Sequence, residues 1–458
     1  MENIFKRYSH KGLICLVVAV AIAPCAYGGE SRVSNIHNLS IENAVALAFK
    51  NNKEILAQEK EIEIARARIL GAVSESLPKI DLNGGYSHQD AVMSIGPAAV
   101  SKKDIGVFVG YNNQNDLGVS ARQPLFEGGK NLALFKCSRI ELKIQEESFR
   151  VRRHAVEFET KRLYYGLLLA YETERINGEL VSQAKSHYMD VERRFREGAA
   201  SRFDLLQSKV QISKVEPELA RAQKAKNLIA EELKKLLGLE RMDVILLTGE
   251  LAYTLIQIDE DRFLEQAQSM RPELEMRSLE INADKQGIKI ARSGWLPKIN
   301  GEFNYYSKSD AFMKDVFNSQ HNNWNIGVRV TIPIFDGFSA KAKVDEAKAR
   351  YSQTIIKKED VEDQVVLEIR HACFDLSEAK TIIDSAQEGV ESAREALKIA
   401  EASYREGQVT NLDVLDAQIS LSQIEKNLSD AIYDYIVALA YLDKSIGRSP
   451  FEETKNEN

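Results

Sequence analysis

Few side chains in this sequence are spaced for catalysis or metal binding. The histidines show neither HxxxH nor HExxH spacing, and the chain has no CxxC pair, glycine-rich phosphate loop or GxSxG motif. The acidic residues Asp413 and Asp416 lie in one stretch of the second half, and Asp204 lies in the equivalent stretch of the first half. Asp413 and Asp416 are three positions apart and therefore share one face of a helix. These patterns predict a protein that is not an enzyme and that uses no cofactor or metal.

Two of these acids also fit a purely structural role at the start of a helix. Ser201-x-x-Asp204 and Thr410-x-x-Asp413 have the spacing of a capping box, in which hydroxyl and carboxylate groups satisfy free backbone amides. Capping alone would explain Asp204 and Asp413, and this alternative stays open. Asp416 lies beyond the first cap, so capping does not account for it.

These acids belong to an internal repeat that covers most of the chain. The matched pairs of segments are FREGAASRFDLL (195–206) with YREGQVTNLDVL (404–415), DLGVSARQPLFEGG (116–129) with NIGVRVTIPIFDGF (325–338), and SLPKIDLNGGYS (76–87) with WLPKINGEFNYY (295–306). The third pair has a longer offset than the other two, so the first half carries extra residues in a loop around Met93–Gly106. Each unit is far longer than a solenoid repeat.

The repeat predicts the domain organisation. We expect a first structural repeat at 39–245, an inter-repeat linker at 246–258, a second repeat at 259–447 and a polar C-terminal tail at 448–458. A duplicated architecture with fixed turns suggests a symmetric object around an axis, which in turn suggests a channel.

The N-terminus has the layout of a secretory signal peptide over residues 1–28. A basic start precedes an apolar run that is too short to span a membrane as a helix, and small residues offer a cleavage site. Lipidation at Cys25 is an alternative, which Pro24 makes a poor fit. The formal net charge of −7 becomes more negative without this basic leader, which argues against binding to nucleic acid.

Heptad patterns predict helices far longer than a globular domain. Apolar residues recur at alternating steps of three and four through 338–406, the pattern of a coiled-coil seam. Segment 130–197 has no proline and would be about 100 Å long as one helix. The shorter predicted helices are 52–76, 201–237, 272–295 and 410–446.

Between the helices the apolar period changes to two, which predicts β-strands with one apolar face. The aromatic residues Trp295, Trp324 and Tyr305 fit the interface between a membrane and water. One chain supplies four such strands, whereas a barrel in lipid needs at least about eight. The chain must therefore form an oligomer in contact with outer-membrane lipid, and the strand count leaves the number of copies open.

The motifs LPK, P-[LI]-F-[ED]-G and [FY]-R-E-G followed by D-[LV]-L together resemble those of the TolC-type outer-membrane efflux protein family, over about Leu39–Gly447. The resemblance implies an α+β membrane protein whose duplicated long α-helical coiled-coil hairpins form a periplasmic tunnel. Four strands per chain would contribute to a shared twelve-strand β-barrel in a homotrimer. The implied location is the outer membrane of a Gram-negative bacterium, with most of the chain in the periplasm.

The function implied by the resemblance is passive conduction across the outer membrane in a tripartite efflux or type I secretion system. The implied partners are a periplasmic adaptor (membrane fusion) protein and an inner-membrane pump of the RND, ABC or MFS type. The adaptor would dock at the residues of the two turns, Arg196, Glu197, Gly198, Arg405, Glu406 and Gly407. The alternative is a non-pore periplasmic coiled-coil scaffold or adhesin, which would leave the four amphipathic strands without a purpose.

The resemblance also implies a gate at the periplasmic end of the tunnel. Acidic residues that ring the constriction in this family match Asp413 and Asp416, and a tyrosine–aspartate link that closes it matches Tyr404 and Asp204. Three copies of Asp413 and Asp416 around one axis would favour cations.

Two positions depart from the family pattern of closure. Val409 stands where a well-studied member has a latch arginine, and Phe203 stands where that arginine has its hydroxyl partner. We therefore expect this latch to be absent, so that the resting closure is weaker or differently made.

Overall fold

The computed structural model describes residues 36–88, 94–95, 107–108, 113–240, 242–309 and 322–449. The predicted signal peptide, nearly all of the longer loop around Met93–Gly106 and the tail beyond residue 449 lie outside the described residues.

Long helices dominate the described part of the chain. They are α1 Ile41–Asn51, α2 Lys53–Ser74, α3 Lys130–Arg196, α4 Arg202–Leu237, α5 Glu260–Met270, α6 Pro272–Arg292, α7 Ser339–Arg405 and α8 Asn411–Ile446, with a short 3-10 turn at Ser293–Trp295. Helices α3 and α7 each have 67 residues and so extend about 100 Å. The long rods and their returning helices begin and end within a residue or two of the bounds predicted from the heptads.

The predicted coiled-coil seam is buried. On α7 the alternating rows of small and large side chains both face inward, at Ile369, Ala372, Leu376, Ala379, Ile383, Ala386, Val390, Ala393 and Leu397. They pack against α8, the antiparallel partner that follows the second turn. In the first half α3 packs against α4 in the same way, with Ala184 and Val191 buried. Burial of this apolar stripe holds the rods together.

The shorter helices cover the other ends of the rods. Helix α2 packs on α3, and α6 packs on both α3 and α7, which joins the two halves of the chain side by side. Helix α3 also contacts α8, so this rod has neighbours from both repeats. The two halves therefore form one continuous helical layer.

The beginning and end of the first repeat meet. Strand β1 (Ile36–Leu39) pairs in parallel with β6 (Val244–Leu247), which runs across the predicted boundary at 245. Leu39 O accepts hydrogen bonds from the hydroxyl of Tyr164 at 3.1 Å and from the backbone N–H of Thr248 at 3.0 Å. A buried helical tyrosine thus fixes both ends of this unit.

Each returning helix ends against the short helices of its own repeat. Gly238 follows α4 with a φ of +65°, and a Cβ there would lie 2.9 Å from the backbone oxygen of Asn51. Gly447 follows α8 with a φ of +82°, and a Cβ there would lie 2.9 Å from the oxygen of Met270. Only glycine fits this contact, because the backbone is left-handed and the neighbouring chain is too close for any side chain.

A four-stranded antiparallel sheet lies where α3 and α7 begin, at the opposite end of these helices from the turns that follow them. It contains β2 (Lys79–His88), β5 (Asn113–Glu127), β7 (Lys298–Ser309) and β8 (Asn322–Thr331) in the order β2-β5-β7-β8; a separate small pair is β3 (Ser94–Ile95) with β4 (Val107–Phe108). The pairing of β5 with β7 joins the two repeats. In the described chain, β2 and β8 each have one edge without a partner strand.

The register gives the sheet one apolar face. Two adjacent rows across the four strands are Ile80, Ala121, Phe303, Ile326 and Leu82, Val119, Tyr305, Trp324. Several of these side chains are exposed, Leu82 and Ile326 by more than 70%. The opposite face carries polar pairs, including a two-pronged ion pair of Arg329 with Glu302 at 2.9 and 3.0 Å. The register therefore confirms the predicted alternation of apolar and polar residues along the strands.

Among the described residues, none of the helices has the length and apolar character needed to cross a membrane.

Candidate functional site

Both rods end in the same tight turn, at the REG segments of the repeat. After α3, the backbone N–H of Ala199 donates to Arg194 O at 2.7 Å and that of Gly198 donates to Phe195 O at 3.1 Å. After α7, Gln408 and Gly407 repeat the same two hydrogen bonds. Gly198 and Gly407 have φ of +75° and +79°, as this helix-ending motif requires. The glycine therefore reverses the chain direction at each tip.

The returning helices start with the predicted capping boxes. Asp204 Oδ2 accepts hydrogen bonds from the N–H of Ser201 at 3.0 Å and from its hydroxyl at 2.6 Å. Asp413 Oδ2 accepts from the N–H of Thr410 at 2.7 Å and from its hydroxyl at 2.6 Å. These hydrogen bonds lower the pKa of Asp413 below its usual range, the side-chain bond having the larger effect. Both aspartates therefore fix the direction of a returning helix.

The carboxylates of Asp413 and Asp416 lie exposed at the start of α8. Asp413 is tied to its cap, whereas Asp416 lies one turn further along the helix, outside the capping box. Both carboxylates remain accessible to solvent and ions within one chain. Their role at a constriction stays a prediction.

Tyr404, near the end of α7, packs against the first half of the chain. Its ring centroid lies 5.3 Å from that of His187, and the guanidinium of Arg194 lies 4.9 Å from it. Burial raises the pKa of Tyr404, and the negative charge of Asp204 raises it further. Asp204 is thus within electrostatic range of Tyr404, while its carboxylate binds Ser201.

A buried polar network lies beneath Tyr404 and joins α3, α4 and α8. His187 donates from Nε2 to Asn411 Oδ1 at 2.6 Å, and the hydroxyl of Ser208 donates to the same oxygen at 3.2 Å. The Asn411 amide donates to Gln207 Oε1 at 3.0 Å. Asn411 and Ser208 are 2% and 1% exposed, so these hydrogen bonds are shielded from water.

This network was not predicted from the sequence. One sequence feature does point to it, because His187 lies between Ala184 and Val191 at a position where the heptad pattern predicts an apolar residue. Its partners lie on two other helices, however, and no local spacing identifies them.

The remaining predicted site residues lie at the two ends of the molecule. Exposed at the tips are Arg196, Glu197, Gly198, Arg405, Glu406 and Gly407. At the sheet, Trp295 lies just before β7 and is 49% exposed, whereas Trp324 is 64% exposed at the far end, directly opposite Tyr305. Phe203 is exposed and Val409 half-buried, and neither side chain can donate a hydrogen bond to close the tip. The described residues contain no group of three or more His, Cys, Asp or Glu side chains arranged to hold a metal.

Comparison with known proteins matches this architecture over most of its length. The sequence model of the family described as "Outer membrane efflux protein" matches residues 44–239 and 263–448, one stretch in each predicted repeat. The chain is 22% identical to "Outer membrane protein TolC" of Vibrio cholerae over 418 residues, 90% of this chain and 91% of the relative. It is also 22% identical to "Alkaline protease secretion protein AprF" of Pseudomonas aeruginosa, over 88% of this chain and 83% of the relative.

The solved structures agree at the level of the fold. A crystal structure of CusC, described as concerned with folding and transmembrane channel formation, superposes with a TM-score of 0.76 at 20% identity. The superposition covers 91% of this chain and 94% of the CusC chain. The family model matches both halves of a chain whose paired rods end in capped turns and whose two repeats share one amphipathic sheet. The chain therefore belongs to the outer membrane efflux protein family.

Proposed function

We propose that three copies of this chain form a channel that carries substrates passively across the outer membrane. The observation that supports this most directly is the four-stranded sheet, whose apolar face is exposed and whose edge strands lack partners among the described residues of one chain. Backbone groups at such edges must be paired in lipid, and strands from neighbouring copies pair them when the sheet closes into a barrel. Three copies supply twelve strands, in the range of known outer-membrane barrels.

The rods continue the pore into the periplasm. Their length of about 100 Å exceeds any need for a globular core and matches a duct that reaches toward an inner-membrane partner. A periplasmic adaptor docks at the exposed tips around Gly198 and Gly407, and an inner-membrane pump of the RND, ABC or MFS type supplies the energy. The relatives include an alkaline protease secretion protein and the cation efflux system protein CusC, so channels of this family are named for different cargoes. We assign the choice of cargo to the pump.

The chain itself carries out no catalysis in this proposal. At the tip, Asp204 and Asp413 cap the returning helices. The carboxylates of Asp413 and Asp416 provide the selectivity for ions. Asp413 and Asp416 are exposed on the first turns of α8. In the proposed trimer these side chains face the axis of the pore, where they form a ring of six carboxylates. Such a ring favours cations over anions.

Planar-bilayer recording of the purified protein tests the proposal. We expect discrete single-channel conductance with a preference for cations, and we expect replacement of both Asp413 and Asp416 by alanine to weaken that preference. Glu425 on the same helix is paired with Arg394, so Glu425→Ala is the matched control for loss of charge. Absence of conductance from assembled protein would instead favour a scaffold or adhesin, and unchanged selectivity in the double variant would reduce both acids to capping or surface roles.

A further inference from the structure

Arg194 connects the two tips of a single chain. It lies in the last turn of α3, and its guanidinium donates hydrogen bonds to Tyr404 O and Arg405 O at the end of α7, both at 3.1 Å. The same group lies 4.9 Å from the centre of the Tyr404 ring. One side chain from the first repeat thus binds the backbone and the ring of the second.

Tyr404 O already accepts from the N–H of Gly407 in the turn, so Arg194 adds a second donor there and also binds Arg405 O. The last carbonyls of α7 have no partner within the helix and carry the negative end of its dipole, so a cation there is stabilising. The planar fork of arginine donates to two carbonyl oxygens at once and also stacks on an aromatic ring. Arg194 therefore acts as a C-terminal cap that comes from a different helix.

The repeat does not supply this contact twice. The residue of the second half that corresponds to Arg194 is Ser403, which is too short to reach across the tip. This contact is therefore asymmetric, since it runs only from the first half to the second. The Arg194 contact lies in the same region as the latch of the family pattern, which Val409 and Phe203 cannot form.

A second layer lies directly below the arginine. The ring of Tyr404 is in contact with both Arg194 and His187, and His187 donates to Asn411 at the start of α8. Separation of the α7–α8 tip from the α3–α4 tip would break the exposed contacts of Arg194 before it reached the buried network. Arg194 is therefore the outer contact, and the network around Asn411 is the inner one.

We propose that Arg194 is the clamp that holds the resting channel closed, and that opening requires its release from Tyr404 and Arg405. This inference rests on the proposed channel function. The clamp uses the ring and the backbone carbonyl of Tyr404, and it does not use the phenolic hydroxyl. Closure by this clamp therefore differs from closure by a tyrosine–aspartate hydrogen bond.

Single-channel conductance of four variants, each checked for assembly by size-exclusion chromatography, tests the clamp. Arg194→Ala is expected to raise the ratio of open to closed states about tenfold, since it removes two charge-assisted hydrogen bonds that are partly exposed. Arg194→Lys keeps the charge without the fork and should fall between wild type and alanine. Arg193→Ala is the matched control, because Arg193 pairs with Asp190 on its own helix. Tyr404→Phe keeps the ring and the carbonyl and should behave as wild type.

The outcomes separate the clamp from the channel. If wild type conducts and Arg194→Ala conducts no more than Arg193→Ala, the clamp is overturned while the channel stands. If Tyr404→Phe opens the channel and Arg194→Ala does not, a hydroxyl link closes the tip and the clamp is overturned. If Arg194→Ala does not assemble, Arg194→Lys becomes the test. The clamp is then overturned if Arg194→Lys conducts no more than wild type. If neither wild type nor any variant conducts, the proposed function itself fails.

Discussion

Replacement of Asn411 by alanine should loosen the tip without unfolding the rods. In the wild type, Asn411 Oδ1 accepts hydrogen bonds from His187 and Ser208, and its amide donates to Gln207. Alanine removes this shared partner from a site that is almost fully buried. The three helices that meet there would then be held by apolar packing alone.

The magnitude follows from which groups are left without a partner. Ser208 keeps its hydrogen bond to Asp204 O at 2.8 Å, so its hydroxyl stays satisfied. His187 loses its acceptor, and an unsatisfied buried donor costs about 1–3 kcal/mol. With the lost bond to Gln207, the free energy of local opening should fall by about 2–3 kcal/mol, which corresponds to roughly 30- to 150-fold faster amide exchange.

Hydrogen exchange measured by mass spectrometry provides the assay. Peptides that cover 200–212 and 404–420 should exchange faster in Asn411→Ala, while peptides from the middle of α7 should not change. Asn427→Ala is the matched control, because Asn427 is exposed on the same helix and accepts only from Gln423. Equal exchange at the tip in both variants would refute the view that the buried network holds the tip together.

Two further predictions concern the turn and its cap. Gly198→Ala should destabilise the assembled protein by about 1 kcal/mol, because alanine disfavours the left-handed backbone at this position. Gly178→Ala inside α3 should instead stabilise it by about 0.5–1 kcal/mol. Thermal unfolding measures both effects, and steric clashes do not contribute, because a Cβ at either position would meet nothing within 4 Å. Equal melting temperatures would show that backbone strain does not determine the turn. Because hydrogen bonds from Thr410 lower the pKa of Asp413 in the folded state, this cap stabilises α8 above the ordinary carboxylate pKa of about 4 and is lost as pH falls through the lower folded value. The protection factors of amides at the start of α8, which compare the observed exchange rate with the intrinsic rate at each pH, should therefore fall in acid and fall less in Thr410→Val. A pH-independent protection factor in wild type would contradict the capping role.

Most of the helical fold can be read from the sequence because its determinants are local. The rows that include Ile369 and Ala372 repeat with a period that only a long paired helix satisfies. Gly407 and Thr410 mark where one helix stops and the next starts, and both act through hydrogen bonds to residues a few positions away. The strands follow for the same reason, since alternation assigns each side chain to a face.

The remaining features depend on contacts between distant parts of the chain. The pairing of β1 with β6 involves two four-residue strands separated by about half of the sequence, and nothing in either segment identifies the other. Arg194 is one of several arginines near the tip, and only its contact with the end of α7 distinguishes it from Arg193, which pairs with Asp190 on its own helix. The network at Asn411 likewise exists only where three helices converge.

The contacts of Gly238 and Gly447 have a consequence for how such a chain could arise. In each half the last helix closes on the junction between the two short helices at the start of that half, so the ends of each unit already lie together. A gene for a single unit would therefore encode a self-closing hairpin, and six copies of it could surround a pore. Tandem fusion of two such genes then needs only a short connector between neighbouring ends. Fusion also lets the two units differ in sequence, as they do at Arg194 and Ser403.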